Sequence, residues 1–295
     1  MATTRTGELP IGFRRGGSDW QTDFDTLLRF AQEAEFEVLD LPALPIDDLK
    51  RVLDAGLKIG TVDLPPPWAD LAAEDPTQRS NAADRCAAYI KEAGALGLNR
   101  FFAVVLPEDP AQPREVNMDR AVHGYSQLCA ALADTDARLL LEGWPGGPPH
   151  FGSLACTPAD FRLFHERVGS ERIGVNYDPS HLVRMGIDPI RFAHEFADRI
   201  HHVHAKDTEL LDEALYEHGN LQPATQAAQH GFGAHHWRYT IPGHGCVRWS
   251  RILSVLVDAG YKGAVCIELE DENFNGTPDG ERRGLTASRD FLVHV

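Results

Sequence analysis

The sequence predicts a single closed (β/α)8 TIM barrel of the α/β class, running from residue 1 to residue 295. Three observations carry that expectation. Short β-like runs alternate with amphipathic stretches eight times, the rhythm of parallel strands joined by helices. The runs are near-continuously apolar, as strands covered on both faces are. A length of 295 residues suits one such barrel, which takes roughly 250 residues.

The elements follow in order. Leu9–Arg14 (LPIGFR) is the first strand. Trp20–Glu35 reads as a helix, with Phe24, Leu27, Leu28 and Ala31 at three- and four-residue steps and Asp23 or Ser18 as its cap. Phe36–Leu41 (FEVLDL) is the second strand, and Ile46–Ala55 a helix closed by Gly56. Lys58–Leu64 (KIGTVDL) is the third strand, followed by the prolines 65–67 and a long helix, Thr77–Leu96, ending at Gly97. Arg100–Leu106 (RFFAVVL) and the helix Val116–Asp134 make the fourth unit. Arg138–Glu142 (RLLLE) with Pro158–Val168 makes the fifth, and Ile173–Asp178 (IGVNYD) with Pro189–Phe196 the sixth. Ile200–Lys206 (IHHVHAK) is strand seven, Trp249–Ala259 a helix closed by Gly260, Ala264–Glu268 (AVCIE) strand eight, and Thr277–Val293 the last helix.

One connection breaks the rhythm. Residues 208–248, about forty residues with several glycines and five histidines, follow strand seven. Their position is on the face of a barrel that carries function, so they are read as a lid or an oligomer arm, with Trp237 and Arg238 as lid candidates. An open doubly wound sheet is the alternative architecture, but no GxGxxG follows the first strand.

Composition excludes several classes. Hydrophobic content of 43% supplies a full core, and the net charge of −16 disfavours a nucleic-acid partner, whose phosphates demand Lys and Arg. No apolar run has signal-peptide or membrane-span length. The five cysteines, Cys86, Cys129, Cys156, Cys246 and Cys266, are odd in number and lack CxxC spacing, which argues against a disulfide framework and fits a reducing cytoplasm.

In a barrel, functional groups sit at the carboxyl ends of strands. The last polar residues of strands five to eight are Glu142, Asp178, His204 and Glu268. Singly, each has a plain structural reading: a salt-bridged Glu, an Asp capping the turn at Pro179, a satisfied core His. Jointly they place three carboxylates and one imidazole on four consecutive strands at one end. That set suits Mn²⁺ first, then Mg²⁺ or Co²⁺, and admits Zn²⁺, without the thiolates of a structural zinc site. Around it, Arg14 ends strand one and is read as an anchor for a substrate oxygen or as a salt bridge in the barrel mouth. Lys206 and Asp207 follow the histidine as supporting groups or an internal ion pair. Trp144 and His244 are read as pocket walls, Trp144 packing on a sugar face.

The segments VNYDPSHL (Val175–Leu182), HVHAKDTE (His202–Glu209), IPGHG (Ile241–Gly245) and IELED (Ile267–Asp271) resemble the sugar phosphate isomerase/epimerase family, the xylose-isomerase-like barrels, over nearly the whole chain. The resemblance implies that Glu142, Asp178, His204 and Glu268 hold a divalent metal, that Glu142 and Glu268 also move protons, and that His181 contacts substrate. It favours Glu268 over Glu270 and His204 over His202, which share their faces. Gly143 stands where many relatives carry Asn. Pro148, Pro149 and His150 stand where several 3-epimerases carry a companion Glu.

The expected activity is that of a metal-dependent isomerase or epimerase on a small ketose or related carbonyl sugar, working through an enediolate. Without a phosphate-binding loop in the sequence, the substrate is read as a non-phosphorylated sugar or polyol. A dehydratase or lyase acting on an inosose or 3-keto-glycoside is the alternative, since the same enediolate can expel a hydroxyl or glycosyl group. A non-catalytic sugar-binding barrel is a further reading, opposed by the cost of holding such a charge cluster together. A DNA-repair endonuclease on this fold needs histidines at the ends of strands two to four, which read LDLPA, TVDLPP and AVVLPE.

Overall fold

The structure, a computed structural model, describes residues 1–147, 152–220 and 228–295. The residues Pro148, Pro149 and His150 singled out above lie outside them. Eight parallel strands close into a barrel. In chain order they are β1 (Ile11–Arg14), β2 (Val38–Leu41), β3 (Lys58–Asp63), β4 (Arg100–Ala103), β5 (Arg138–Glu142), β6 (Ile173–Tyr177) and β7 (Ile200–Ala205); after an antiparallel pair, β8 (Asp207–Leu210) and β9 (Trp237–Thr240), comes β10 (Val265–Ile267), the eighth barrel strand. The hydrogen-bonded order is β1-β10-β7-β6-β5-β4-β3-β2. β5 spans Arg138–Glu142 as the sequence places it, and the other barrel strands are shorter than their apolar runs, which continue into the adjoining loops. The glycines read as helix stops, Gly56, Gly97 and Gly260, have φ of 81°, 82° and 92°, a region open to residues without Cβ. No helix among the described residues is long and apolar enough to cross a membrane.

The chain forms two compact units, one of Met1–Asp40, Asp178–Ala197 and Val203–Val295, the other of Leu41–Tyr177 and Asp198–His202. In the first, the single helix expected over Trp20–Glu35 is two, α1 (Asp19–Thr22) and α2 (Phe24–Glu33). Asp23 separates them: its backbone is extended, and its carboxylate caps α2 by accepting the Asp25 N–H. Ser18 caps nothing with its side chain; its hydroxyl donates instead to Glu281, as do Trp20 Nε1 and Gln21 Nε2, at 2.7, 2.7 and 3.0 Å. Gln21 in turn takes the Gly16 N–H and, through its carbonyl, Arg15 Nε, so Glu281 fixes the loop that leaves β1 at Arg14.

The described parts of the stretch, residues 208–220 and 228–248, are built rather than loop-like. They hold β8, which pairs antiparallel with β9 from Asp207↔Thr240 to Leu210↔Trp237, and a helix at Asp212–His218. Asp207 anchors them. One carboxylate oxygen accepts the Thr208 and Val247 N–H groups, and the other those of Gly243 and the Trp249 indole, at 2.8 to 3.2 Å. Gly245 is needed there, since a Cβ would lie 2.3 Å from Asp207 Oδ1.

In the second unit, β3 to β6 pair in sequence, and the β5–β6 register sets Glu142 opposite Asn176. The helix Pro158–Val168 begins where the sequence places it, because Thr157 and Asp160 form a reciprocal capping box with Pro at the first turn.

Glu281 yields a pH prediction. Burial pushes its carboxyl up, but the Ser18, Gln21 and Trp20 donors outweigh that and hold its pKa below the ordinary value. A carboxylate depressed on folding contributes stability above its unfolded pKa of about 4.3 and loses it as pH falls through the folded value. Thermal melts between about pH 7 and about pH 3 should show Glu281→Gln less stable than wild type at neutral pH, with the difference shrinking in acid.

Candidate metal centre

Glu142 is the last residue of β5 and is buried; its Oε2 accepts a hydrogen bond of 2.8 Å from Asn176 Nδ2. Asp178 follows β6 directly and caps a short helix, Pro179–Arg184, where the sequence predicts no element before Pro189. Its Oδ1 accepts the Ser180 N–H at 2.8 Å, so the plain capping role is real, yet it uses only one oxygen. Buried Oδ2 takes no hydrogen bond among the described residues and is held by ion-pair contacts with Lys206 and His181. His204 lies in β7 opposite Cys266 of β10, and Glu268 stands two residues past Cys266 on the same face. Within the first unit, one ligand atom from each of Asp178, His204 and Glu268 lies within 4.8 Å of the others, while Glu142 belongs to the second unit.

Lys206 enters this acidic cluster. Its ammonium is buried and sits 2.5 Å from Glu268 Oε2, 2.9 Å from Glu270 Oε2 and 3.2 Å from Asp178 Oδ2. It also lies 4.5 Å from the centre of the Tyr239 ring. Burial alone would lower the lysine pKa; Asp178, Glu268 and Glu270 together hold it well above its ordinary value. Reciprocally, burial raises Glu268, and Lys206 and His204 outweigh it and keep the carboxyl well below the usual range. Arg14 Nε adds a longer contact, 3.4 Å from Glu268 Oε1.

A second network fixes His181. Arg184 Nη1 donates to Tyr239 Oη at 2.6 Å, and Tyr239 Oη is 2.7 Å from His181 Nδ1. Burial raises the Tyr239 pKa against the pull of Lys206 and Arg184, so the phenol keeps its proton. A guanidinium has no acceptor, so the phenol oxygen accepts from Arg184 and gives its own proton to His181 Nδ1. The imidazole proton then sits on Nε2, which is 3.4 Å from Asp178 Oδ2.

Of the residues singled out in the sequence, Asp178, His181, His204, Lys206, Glu268 and Arg14 meet here in the first unit, and Glu142 lies in the second. Trp144 is half-buried two residues beyond Glu142, and His244 is exposed with its ring 6.4 Å from that of Phe274. Neither makes a hydrogen bond or ion pair with the cluster among the described residues. Lys206 and Asp207 do not pair with each other: strand alternation sends Lys206 into the cluster and Asp207 to the anchor described above. Trp237 lies under the Arg184 guanidinium at 4.5 Å, and Arg238 pairs with Glu209 and Glu272. Tyr239, Arg184, Asn176 and Asp40 were not singled out. Tyr239 carries no local motif and sits in a stretch without barrel periodicity. Asp40, in LDLPA, does end a strand, and that position was the available signal.

The donor chemistry of the first unit's cluster fits a hard divalent cation: two carboxylates, from Asp178 and Glu268, and the His204 imidazole, with Asp178 Oδ2 buried beside the Lys206 ammonium. The sequence profile described as "Xylose isomerase-like TIM barrel" matches residues 22–292. The chain belongs to the xylose isomerase-like TIM barrel family. Among family relatives, it is 37% identical over 107 residues to the protein YfiH of Bacillus subtilis (strain 168), covering 34% of this chain and 31% of YfiH. It is 26% identical over 147 residues to an inosose dehydratase of Geobacillus kaustophilus (strain HTA426), covering 49% of this chain and 45% of that enzyme. These matches thus span 31% and 45% of the two relatives' own lengths. The D-psicose 3-epimerase of Clostridium cellulolyticum H10 has the same fold, with a TM-score of 0.67 at 16% identity, covering 97% of this chain and all of that one.

The buried lysine gives a prediction. Removing one partner of a buried ion-pair cluster leaves uncompensated charge and costs about 3–5 kcal/mol. Lys206→Met should lower the urea-unfolding stability of chelator-treated protein by that order, and added Mn²⁺ should restore part of the loss. An unchanged unfolding midpoint would show that the ammonium does not hold the carboxylates in place.

Proposed function

We propose that this protein is a divalent-metal-dependent isomerase or epimerase of a small, non-phosphorylated carbonyl sugar or polyol, with Glu268 as the proton-moving group. The observation that carries the proposal is the position of Glu268: its carboxylate lies beside Asp178 and His204 and against Lys206, which keeps it ionised. Glu142, Asp178, His204 and Glu268 would hold the cation, Mn²⁺ first, and when bound it polarises a substrate carbonyl and its neighbouring hydroxyl.

Glu268 removes the proton from the carbon beside the carbonyl. The negative charge then moves from the glutamate to the substrate oxygen, giving an enediolate. Lys206 serves both ends of that transfer: its ammonium balances Glu268 before the proton moves and is freed to favour the oxyanion afterwards. His181 offers its Nε2–H to a substrate oxygen, held in that orientation by Tyr239 and Arg184. Arg14, beside Glu268 Oε1, anchors a hydroxyl. Glu142 is the second carboxylate; returning a proton to the opposite face of the same carbon gives epimerisation, and return to the neighbouring carbon gives aldose–ketose isomerisation. Because Tyr239 of the 208–248 stretch reaches both Lys206 and His181, that stretch acts as a lid over the site.

The likeness to inosose dehydratases supports a second reading, in which the same proton abstraction is followed by loss of a hydroxyl from the adjacent carbon. One experiment separates the two: a panel of ketoses, inososes and 3-keto-glycosides incubated with Mn²⁺ in D₂O and followed by NMR. Deuterium entering a recovered, isomerised or epimerised sugar supports the first reading, and an unsaturated product the second. Complete inertness of every substrate with every divalent metal overturns both. Glu268→Gln should retain the fold by circular dichroism and lose turnover by at least about 100-fold; full activity in that variant would remove Glu268 from the reaction.

A further inference from the structure

Asp40 is a fully buried carboxylate at the end of β2 that the reaction above leaves without a role. A buried carboxylate is costly unless something specific holds it there. Its Oδ2 lies 3.4 Å from His204 Nε2, an ion-pair contact rather than a formed hydrogen bond. The other ring nitrogen, Nδ1, faces the acidic cluster, 3.6 Å from Glu268 Oε2. Asp40 also takes a hydrogen bond from the Cys266 thiol.

The strand registers explain how β2 reaches β7. Cys266 is level with His204 on one side and with Gly12 on the other, and Gly12 is level with Val38, two residues before Asp40 on the same face. Gly12 has no side chain to fill the gap between those strands. A Cβ on it would lie 2.3 Å from the Val38 carbonyl oxygen and 2.8 Å from Cys266 Sγ. The glycine therefore leaves the space in which Asp40, Cys266 and His204 meet.

We propose that Asp40 is the positioning residue of His204: its carboxylate holds the imidazole by Nε2–H, so that the Nδ1 lone pair is presented to a cation shared with Asp178 and Glu268. This rests on the metal-centre reading above. Histidine ligands are commonly held in this way by a carboxylate on the far nitrogen, and loss of such a partner typically weakens metal binding about 10- to 100-fold. Cys266 acts one step further out, supplying a hydrogen bond that a buried carboxylate needs.

The test is a double-mutant cycle read by calorimetric titration of the chelator-treated protein with Mn²⁺, after melts have confirmed folded variants. Asp40→Leu removes charge and acceptor, while the near-isosteric Asp40→Asn keeps an acceptor and guards against a failure to fold. Asp40→Leu should weaken Mn²⁺ binding about 10- to 100-fold, Asp40→Asn less, and Asp40→Leu should add little in a His204→Gln background. A merely structural Asp40 would lower the melting temperature and weaken binding equally in both backgrounds, which overturns the proposal. So does undiminished affinity in Asp40→Leu. If the wild-type protein itself binds no metal, the metal-centre reading falls along with this one; if wild type binds and the cycle shows no coupling, only the role of Asp40 falls.

Discussion

The buried ammonium of Lys206 is the interaction on which the rest of the site depends. Carboxylates crowded at about 4 Å repel one another by about 4 kcal/mol per pair at an effective dielectric near 20. Left alone, Asp178 and Glu268 would protonate, swing outward or unfold the strand ends that carry them. Lys206 lies within 3.2 Å of both and of Glu270 as well. Its single charge offsets part of the burden only. The three carboxylates around it, Asp178, Glu268 and Glu270, exceed its one charge by two, the charge that a divalent cation would supply. Charge balance and donor chemistry therefore point the same way.

The same lysine couples the cluster to the 208–248 stretch. Lys206 and Asp207 are neighbours in the chain and point to opposite sides. One enters the cluster and meets the Tyr239 ring; the other gathers four donors from the far end of the stretch, at Gly243, Val247 and Trp249 as well as Thr208. A dipeptide thus ties the strap and the acidic cluster to one crossing point. Tyr239 completes the tie, since its hydroxyl passes the orientation imposed by Arg184 to His181.

The barrel was legible in the sequence because its signal is repetitive: eight apolar runs, each with a helix behind it, and glycines at the helix stops. The candidate ligand positions could be proposed from the sequence for a related reason. A strand that ends in a ligand-type residue places it at a known end of the barrel, so Glu142, Asp178, His204 and Glu268 could be read together. What escaped was everything set by contact rather than by period. The break between α1 and α2 depends on the extended backbone of Asp23. The helix after Asp178 is too short to show a periodicity. Tyr239 and Arg184 meet only because an antiparallel pair forms inside a stretch that lacks the barrel rhythm.

Asp40 shows where the limit lies. As a strand-terminal acidic residue it belonged to the same class as the four ligand types, yet nothing in its neighbourhood distinguishes a carboxylate that joins the cluster from one that stands behind it. Depth along the barrel axis decides, and depth is fixed by register. The rung that runs from His204 through Cys266 and Gly12 to Val38 sets Asp40 against the far nitrogen of the imidazole. Gly12 is the residue that makes this arrangement readable in retrospect: a glycine inside a barrel strand weakens it, and here the missing Cβ is what lets a thiol and a carboxylate approach each other across the strand. The centre is therefore organised in two layers, an outer one legible from residue types at strand ends and an inner one legible only once strand register is known.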